Sequence, residues 1–148
     1  MQNIDTLKLK GELHVVLTKA DGTTESHDFT NLVVDTGLNY IVSRMKDASA
    51  TAMSHMELGT GTTAAAAGDT GLGSAISGSR TALTSTAVST NTITYSATFV
   101  AGTGTGAVTE AGILNSSTGG TMLCRTVFPV VNKQAGDSMT VTWVVTVS

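Results

Sequence analysis

The sequence predicts a mainly β, antiparallel fold with one short helix, and three observations carry that prediction. The first is period-two alternation: Met139, Val141, Trp143, Val145 and Val147 interleave with Thr140, Thr142 and Thr146, as along a strand with one face buried. The second is the punctuation between such runs by Asp21-Gly22, Gly119-Gly120 and Gly136-Asp137, residue pairs that suit tight turns. The third is composition. Charged residues make up 13% of the chain, about half the usual share, and Thr, Ser, Ala and Gly take their place. A length of 148 residues holds a core without disulfide or metal support. No repeat or linker divides the chain, so residues 7–148 read as one domain and residues 1–6 as an N-terminal arm.

In chain order, Leu7, Leu9, Leu13, Val15 and Leu17 are spaced by two, with Gly11 at the remaining position, and Lys8, Lys10, Glu12 and His14 take the other face. Asp21-Gly22 turns this strand into a second one over about 23–30, with His14 and His27 expected on the solvent side. The period then changes. Leu38, Ile41, Val42 and Met45 fall at helical spacing, Asp35 or Thr36 can cap the start, and Arg44 and Lys46 complement the dipole at the end. These residues place a helix at about 36–46. Met53 to Leu58 reads as a short strand. Gly59 to Ser79 reads as a long ordered loop, because glycines flank its four alanines and leave room for one helical turn at most. Leu72 and Ile76 are the residues that would pin it to the core.

Arg80 to Leu83 opens a further strand. In the segment 91–100, Ile93, Tyr95, Ala97 and Phe99 alternate with hydroxyl residues. Three terminal strands follow, at about 108–114, 122–128 and 139–147, with Pro129 in the loop between the last two. The total is about eight strands, which fits a sandwich, a jelly roll or an open barrel.

Several function classes are disfavoured. The net charge is −3 and the eight Lys and Arg residues are scattered, whereas nucleic-acid binding needs a concentrated cationic face. No apolar run has the length of a membrane-spanning helix, and the first residues lack the features of a signal peptide. We therefore expect no nucleic-acid or membrane partner, and synthesis and assembly on the cytoplasmic side. Cys124 is the single cysteine; its strand position reads as a small buried hydrophobe. Gly59-Thr60-Gly61 and the glycines of 102–106 invite a phosphate-loop reading. Neither opens a helix and no Gly-Lys-Ser/Thr follows, so turns and bulges explain them. His14, His27 and His55 stand apart from any metal-ligand spacing. Gly136-Asp137-Ser138 resembles an esterase block but has no histidine downstream. No catalytic residue, cofactor or metal is expected.

What remains is shape. Few charges repel copies of this chain, which favours a protein that works assembled. Glu110 and Arg125 lie inside strands of a charge-poor region, where they either pair across the sheet or point outward into a subunit contact.

Three stretches carry a family resemblance. They are Asn31-Leu32-Val33-Val34-Asp35-Thr36-Gly37-Leu38; Met56-Glu57-Leu58-Gly59-Thr60-Gly61-Thr62-Thr63 with Gly68-Asp69-Thr70-Gly71-Leu72 and Arg80; and Glu110-Ala111-Gly112-Ile113-Leu114 with the segments 120–128 and 136–143. Together they resemble small virion structural proteins of tailed bacteriophages, from about Leu7 onward. The resemblance implies a non-enzymatic capsid decoration (cement) protein with a jelly-roll-like sandwich. It would sit on the capsid exterior as a dimer or trimer and clamp neighbouring subunits of the major capsid protein lattice. The expected contact residues are Gln2, Asn3, Ile4 and Asp5 of the arm, Thr62, Thr63, Asp69 and Leu72 of the long loop, and Glu110 and Arg125. A tail, baseplate or fibre component is the alternative, although the chain lacks a repetitive shaft. A carbohydrate-binding module is the reading from another class. It is weakened by an aromatic share of 4%, since sugar platforms use exposed Trp or Tyr.

Overall fold

The computed structural model describes residues 8–46 and 51–148; the arm residues Gln2, Asn3, Ile4 and Asp5 lie outside them. The elements are β1 (Leu9–Thr18), β2 (Thr24–Val33), α1 (Asp35–Met45), β3 (His55–Gly59), β4 (Thr81–Ala82), β5 (Ser85–Ser89), β6 (Thr92–Phe99), β7 (Gly106–Leu114), β8 (Met122–Lys133) and β9 (Ser138–Val147). All nine strands belong to one antiparallel sheet in the order β4-β3-β7-β8-β2-β1-β9-β6-β5. The chain is thus mainly β, as expected, and its described residues form one helix and nine strands rather than about eight. They form a single curled sheet, a half-barrel.

β2 makes the curl. Its residues Thr24 to Asn31 pair with β1, while Leu32 and Val33 pair with Arg125 and Cys124 of β8. The two halves of the sheet thereby turn their inner faces onto one core. Leu13, Val15, Leu17, Tyr95, Val141 and Trp143 come from one half, and Met56, Leu58, Ile113 and Phe128 from the other. Phe29 of β2 stacks on Phe128 of β8 with ring centroids 4.6 Å apart, which joins the halves beside the bend. The sheet also curls far enough to bring its two ends together at one point. Two residues separate β4 from β5; the Leu83 N–H donates to the Ser54 oxygen beside β3, and the Thr84 N–H donates to Ser96 of β6.

β1, β6 and β9 follow their alternation. Leu13, Val15 and Leu17 of β1 and Met139, Val141, Trp143 and Val145 of β9 are buried. Gly11 is buried because the Asn31 side chain lies across it; a Cβ there would fall 1.6 Å from Asn31 Oδ1. The hairpin turn is as read: Asp21 Oδ1 accepts the Thr23 N–H at 2.9 Å, and Gly22 has φ 89°.

Four local expectations are corrected. His27 stands opposite Val15 on the inner face, half-buried and stacked beside Phe29, so it is not a solvent-side residue as His14 is. α1 runs Asp35–Met45, one residue early, and Thr36 does not cap it. The Thr36 hydroxyl instead donates to the Met122 oxygen at 2.9 Å. The helix also shows a different face. Gly37 lies against the β8 backbone, where a Cβ would be 2.1 Å from the Leu123 oxygen. That contact turns Tyr40 and Ile41 to the core and leaves Leu38, Val42 and Met45 exposed. Finally, Pro129 lies within β8, not in a loop. Val127 pairs with Glu110 and Val131 with Val108, so a bulge opens at 128–130, a position where a strand tolerates proline.

Below this bulge Lys133 is buried, its ammonium donating to the Val100 oxygen at 3.1 Å and the Asp137 oxygen at 2.7 Å. Asp137 accepts the Gln134 and Ala20 N–H groups. The Gly136-Asp137 turn therefore ties the ends of β1, β6, β8 and β9 together.

Trp143 is the largest fully buried side chain. Replacing it with alanine removes the centre of the β1-β9-β6 half of the core. Trp143→Ala is expected to lower stability by about 3–5 kcal/mol, read as a fall in the urea midpoint. A variant melting with wild type would show that the core is elsewhere.

Candidate functional site

Strand β7 is buried on both faces. Val108, Ala111 and Ile113 point to the core, and Glu110 and Leu114 point the other way yet are equally enclosed. What covers them is the long segment 60–80, which straps the outer face of β3, β7 and β8. Leu72 of this strap packs on Val34, Leu114 and Met122 and approaches Gly112, where a Cβ would meet it at 3.0 Å. Ile76 passes inward to the main core, and its N–H donates to the Leu58 oxygen at 2.9 Å. The two residues singled out as pins thus hold different sides of the sheet.

The centre of the strap is ionic. Gly112 pairs with Arg125 across β7 and β8, and Glu110 lies two residues before Gly112, so Glu110 and Arg125 share the outer face as diagonal neighbours. Glu110 Oε1 accepts the N–H groups of Gly61 at 3.0 Å and Ser74 at 2.6 Å. Glu110 Oε2 accepts the Gly73 N–H at 2.9 Å and two guanidinium bonds from Arg125, at 3.0 and 2.8 Å. Arg125 donates onward to Asp69 Oδ2 at 2.6 Å and to the Thr63 oxygen at 3.1 Å. Asp69 also accepts the Ala66 N–H at 2.9 Å. The side-chain exposures of Glu110, Arg125 and Asp69 are 0%, 3% and 25%, so the cluster opens to solvent at Asp69.

Burial alone would raise the Glu110 carboxyl, but the Ser74 and Gly73 N–H groups, Arg125 and Gly61 hold it below its ordinary value. Asp69 is lowered by the Ala66 N–H and then by Arg125. Burial works against the charged form of Arg125, and the two carboxylates more than offset it.

The glycines that invited a phosphate-loop reading have a related role. A Cβ at Gly59 or at Gly61 would lie 2.5 Å from Glu110 Oε1. Backbone without side chains wraps an anion here, and the anion is the chain's own carboxylate. Gly59, Gly61, Gly73 and Ser74 were not among the expected site residues, although the Gly-x-Gly pattern was their signal.

The expected contact residues therefore divide. Glu110 and Arg125 pair across the sheet and are buried within the chain, and Leu72 faces inward. Asp69 anchors the strap with one edge exposed. Thr62 and Thr63 lie on the strap with their side chains outward. Arg80 closes the strap by donating to Glu57 at 3.0 Å and to the Ser116 and Gly119 oxygens, which fixes the 115–120 turn. Cys124 is buried, and burial pushes its thiol up to about 12, so it behaves as a hydrophobe.

The opposite outer face is uncharged. Across β6 and β9, Thr98 stands beside Thr140, Ser96 beside Thr142 and Thr92 beside Thr146, all half-buried. Among the described residues no group of three or more His, Cys, Asp or Glu is placed to hold a metal ion, and no helix is long and apolar enough to cross a membrane.

Compared with known proteins, the chain matches no protein-family model, no curated protein and no solved structure.

Two outcomes follow from the strap. Glu110→Gln keeps the shape but places an amide where donors converge and leaves Arg125 with half its counter-charge. It is expected to cost about 3–5 kcal/mol and to open the segment 60–76 to proteolysis before global unfolding; equal protease resistance would count against the anchor. Because the Glu110 and Asp69 carboxyls are depressed, the stability they contribute is complete above the ordinary carboxylate range, about pH 4. It is lost as pH falls further through their folded values. Relative to the intrinsic rate at each pH, the Gly61, Gly73 and Ser74 amides should therefore lose protection from exchange below about pH 4 ahead of those in β9, and a uniform loss would refute local release.

Proposed function

We propose that this protein is a non-enzymatic capsid decoration (cement) protein of a tailed bacteriophage. In this reading it binds the outer surface of the head, works as a self-associated dimer or trimer and clamps neighbouring major capsid subunits. The observation that carries the reading is where the charge is used. Asp69, Glu110 and Arg125 bond to one another and to the strap, so they fix a long loop from inside. Away from the charged β1–β2 face, the surface left for a partner is rich in Thr, Ser and Ala, with Val42, Met45, Val88 and Val130 standing out from it. Such a surface meets a neighbour closely with little charge to desolvate or repel. A rigid scaffold repeated over a lattice then turns weak single contacts into strong retention.

The resemblance of the 56–72, 110–128 and 136–143 stretches to virion proteins supplies the choice of the capsid, and a jelly-roll-like sandwich is the form it implies. A curled antiparallel sheet with a strapped face offers the same rigid support. The groups capable of acid–base chemistry in the strap are already held by internal partners, which supports a structural rather than an enzymatic role.

Mixing the purified protein with expanded and unexpanded phage heads tests this. Saturable, stoichiometric binding to expanded heads, with higher head stability on heating, is the expected result. Absence of binding to both would overturn it. Copy number by quantitative mass spectrometry separates the readings: hundreds per virion (order of magnitude) fits a head lattice, and a few tens or fewer fits a tail, baseplate or fibre component.

A further inference from the structure

The two ends of the sheet are finished differently. At one end β4 is two residues long, and beyond it the β3 edge is covered by the strap. Ser79 Oγ donates to the Leu58 oxygen and accepts the Leu58 N–H, and the Thr60 N–H reaches the Ser74 oxygen. At the other end β5 pairs all five of its residues with β6 in unbroken register, Ser85 with Ser96 through to Ser89 with Thr92. Every residue of β5 is exposed, Val88 to 75%. Its outer edge has no neighbouring strand among the described residues. Proteins normally blunt such an edge with lysine, proline or a bulge, and β5 carries none of these.

We propose that β5 is a self-association edge. Two copies pair their β5 strands antiparallel about a two-fold axis at Ala87, so that two nine-stranded sheets become one. The sequence Ser85-Thr86-Ala87-Val88-Ser89 suits its own reversal. Ala87 meets the partner's Ala87, Thr86 meets the partner's Val88, and Ser85 meets the partner's Ser89. Small residues fall on small and β-branched on β-branched, the pairs an antiparallel ladder favours.

Charge selects a second copy as the occupant. A two-fold contact sets each residue near its own kind, so any charge within it faces a like charge. No Asp, Glu, Lys, Arg or His occurs between Arg80 and Glu110, and that interval contains β5, β6 and the turn between them. The exposed β1–β2 face, by contrast, carries Lys10, Glu12, His14 and Asp28. Val88 also stands opposite Ile93 and, with Val145 and Val147, lines a shallow apolar hollow of about 380 Å³. Pairing sets the partner's Thr86 beside Val88 and extends this uncharged row into the partner. Five residues of ladder form a small interface beside the roughly 1,600 Å² of a standard one, so the dimer is concentration-dependent. The inference rests on the reading of the protein as one that works assembled, and not on what the assembly coats.

Sedimentation equilibrium of the full chain, over about 5–500 µM, tests it. The expected result is a mass rising from one chain to two. Ala87→Lys sets two ammonium groups face to face and should hold the mass at one chain throughout, while Val130→Lys, on the exposed bulge of β8, should dimerise like wild type. Ala87→Cys should yield a disulfide-linked dimer on mild oxidation, because directly opposed Cα atoms in such a ladder are about 4.5–5.5 Å apart. A wild type that stays monomeric at the highest concentration, a trimer, or an Ala87→Lys variant that still dimerises would each overturn the proposal. A monomer that saturates phage heads would refute the edge and leave the decoration reading standing; a β5 dimer that binds no head would do the reverse.

Discussion

One buried carboxylate organises the outer half of this molecule. The strap between β3 and β4 is poor in the usual means of holding a loop, since Leu72 and Ile76 are its only large apolar residues. Ordering a glycine-rich segment is costly in backbone entropy, and two apolar anchors offset only part of that cost. Glu110 adds a polar anchor by collecting the main-chain N–H groups of Gly61, Gly73 and Ser74 at one point. Arg125 neutralises it and carries the bonding out to Asp69 and Thr63. Burying charge is costly unless each lone pair and proton finds a partner, and here the partners are the loop itself. The interaction that stabilises the strap also determines its path.

The curl of the sheet gives the molecule distinct sides. β2 passes from one half to the other, the Phe29–Phe128 stack sits beside the bend, and the inner faces share one core. Outside, one face is covered by the strap, the face across β6 and β9 is a plain of hydroxyl groups, and α1 presents Leu38, Val42 and Met45. Gly37 is responsible for the last of these, because the helix can lie on the β8 backbone only where it has no side chain. Shape on each side thus follows from a small residue at a point of close approach.

Much of the core was legible in the sequence because burial on one face writes a period of two. β1, β6 and β9 show it, and Trp143 lies where that period put it. β5 was not legible, because none of its residues is buried and only the ladder to β6 makes it a strand. Pro129 misled because a bulge admits it to β8. The spacing of four apolar residues placed the helix but not its buried face, since only Ile41 of the four packs on the core and a single glycine sets the contact. Glu110 and Arg125 could be recognised as misplaced charges, but their pairing depends on the β7–β8 register, which that same bulge shifts. Gly59 and Gly61 have the pattern of an anion cradle, and no local signal could tell that the anion lay about fifty residues on in the same chain.

The place of β9 in the sheet has a consequence for synthesis. β9 lies between β1 and β6, so the strand that joins the first ladder to the later one leaves the ribosome after both. Until then β1 has β2 on one side and β6 has β5, each with an open flank. The growing chain therefore carries unfinished ladders until β9 has emerged, and only then can it close this half of its core. In a chain this poor in repelling charge, that interval is when nascent copies on one message are most open to pairing with each other.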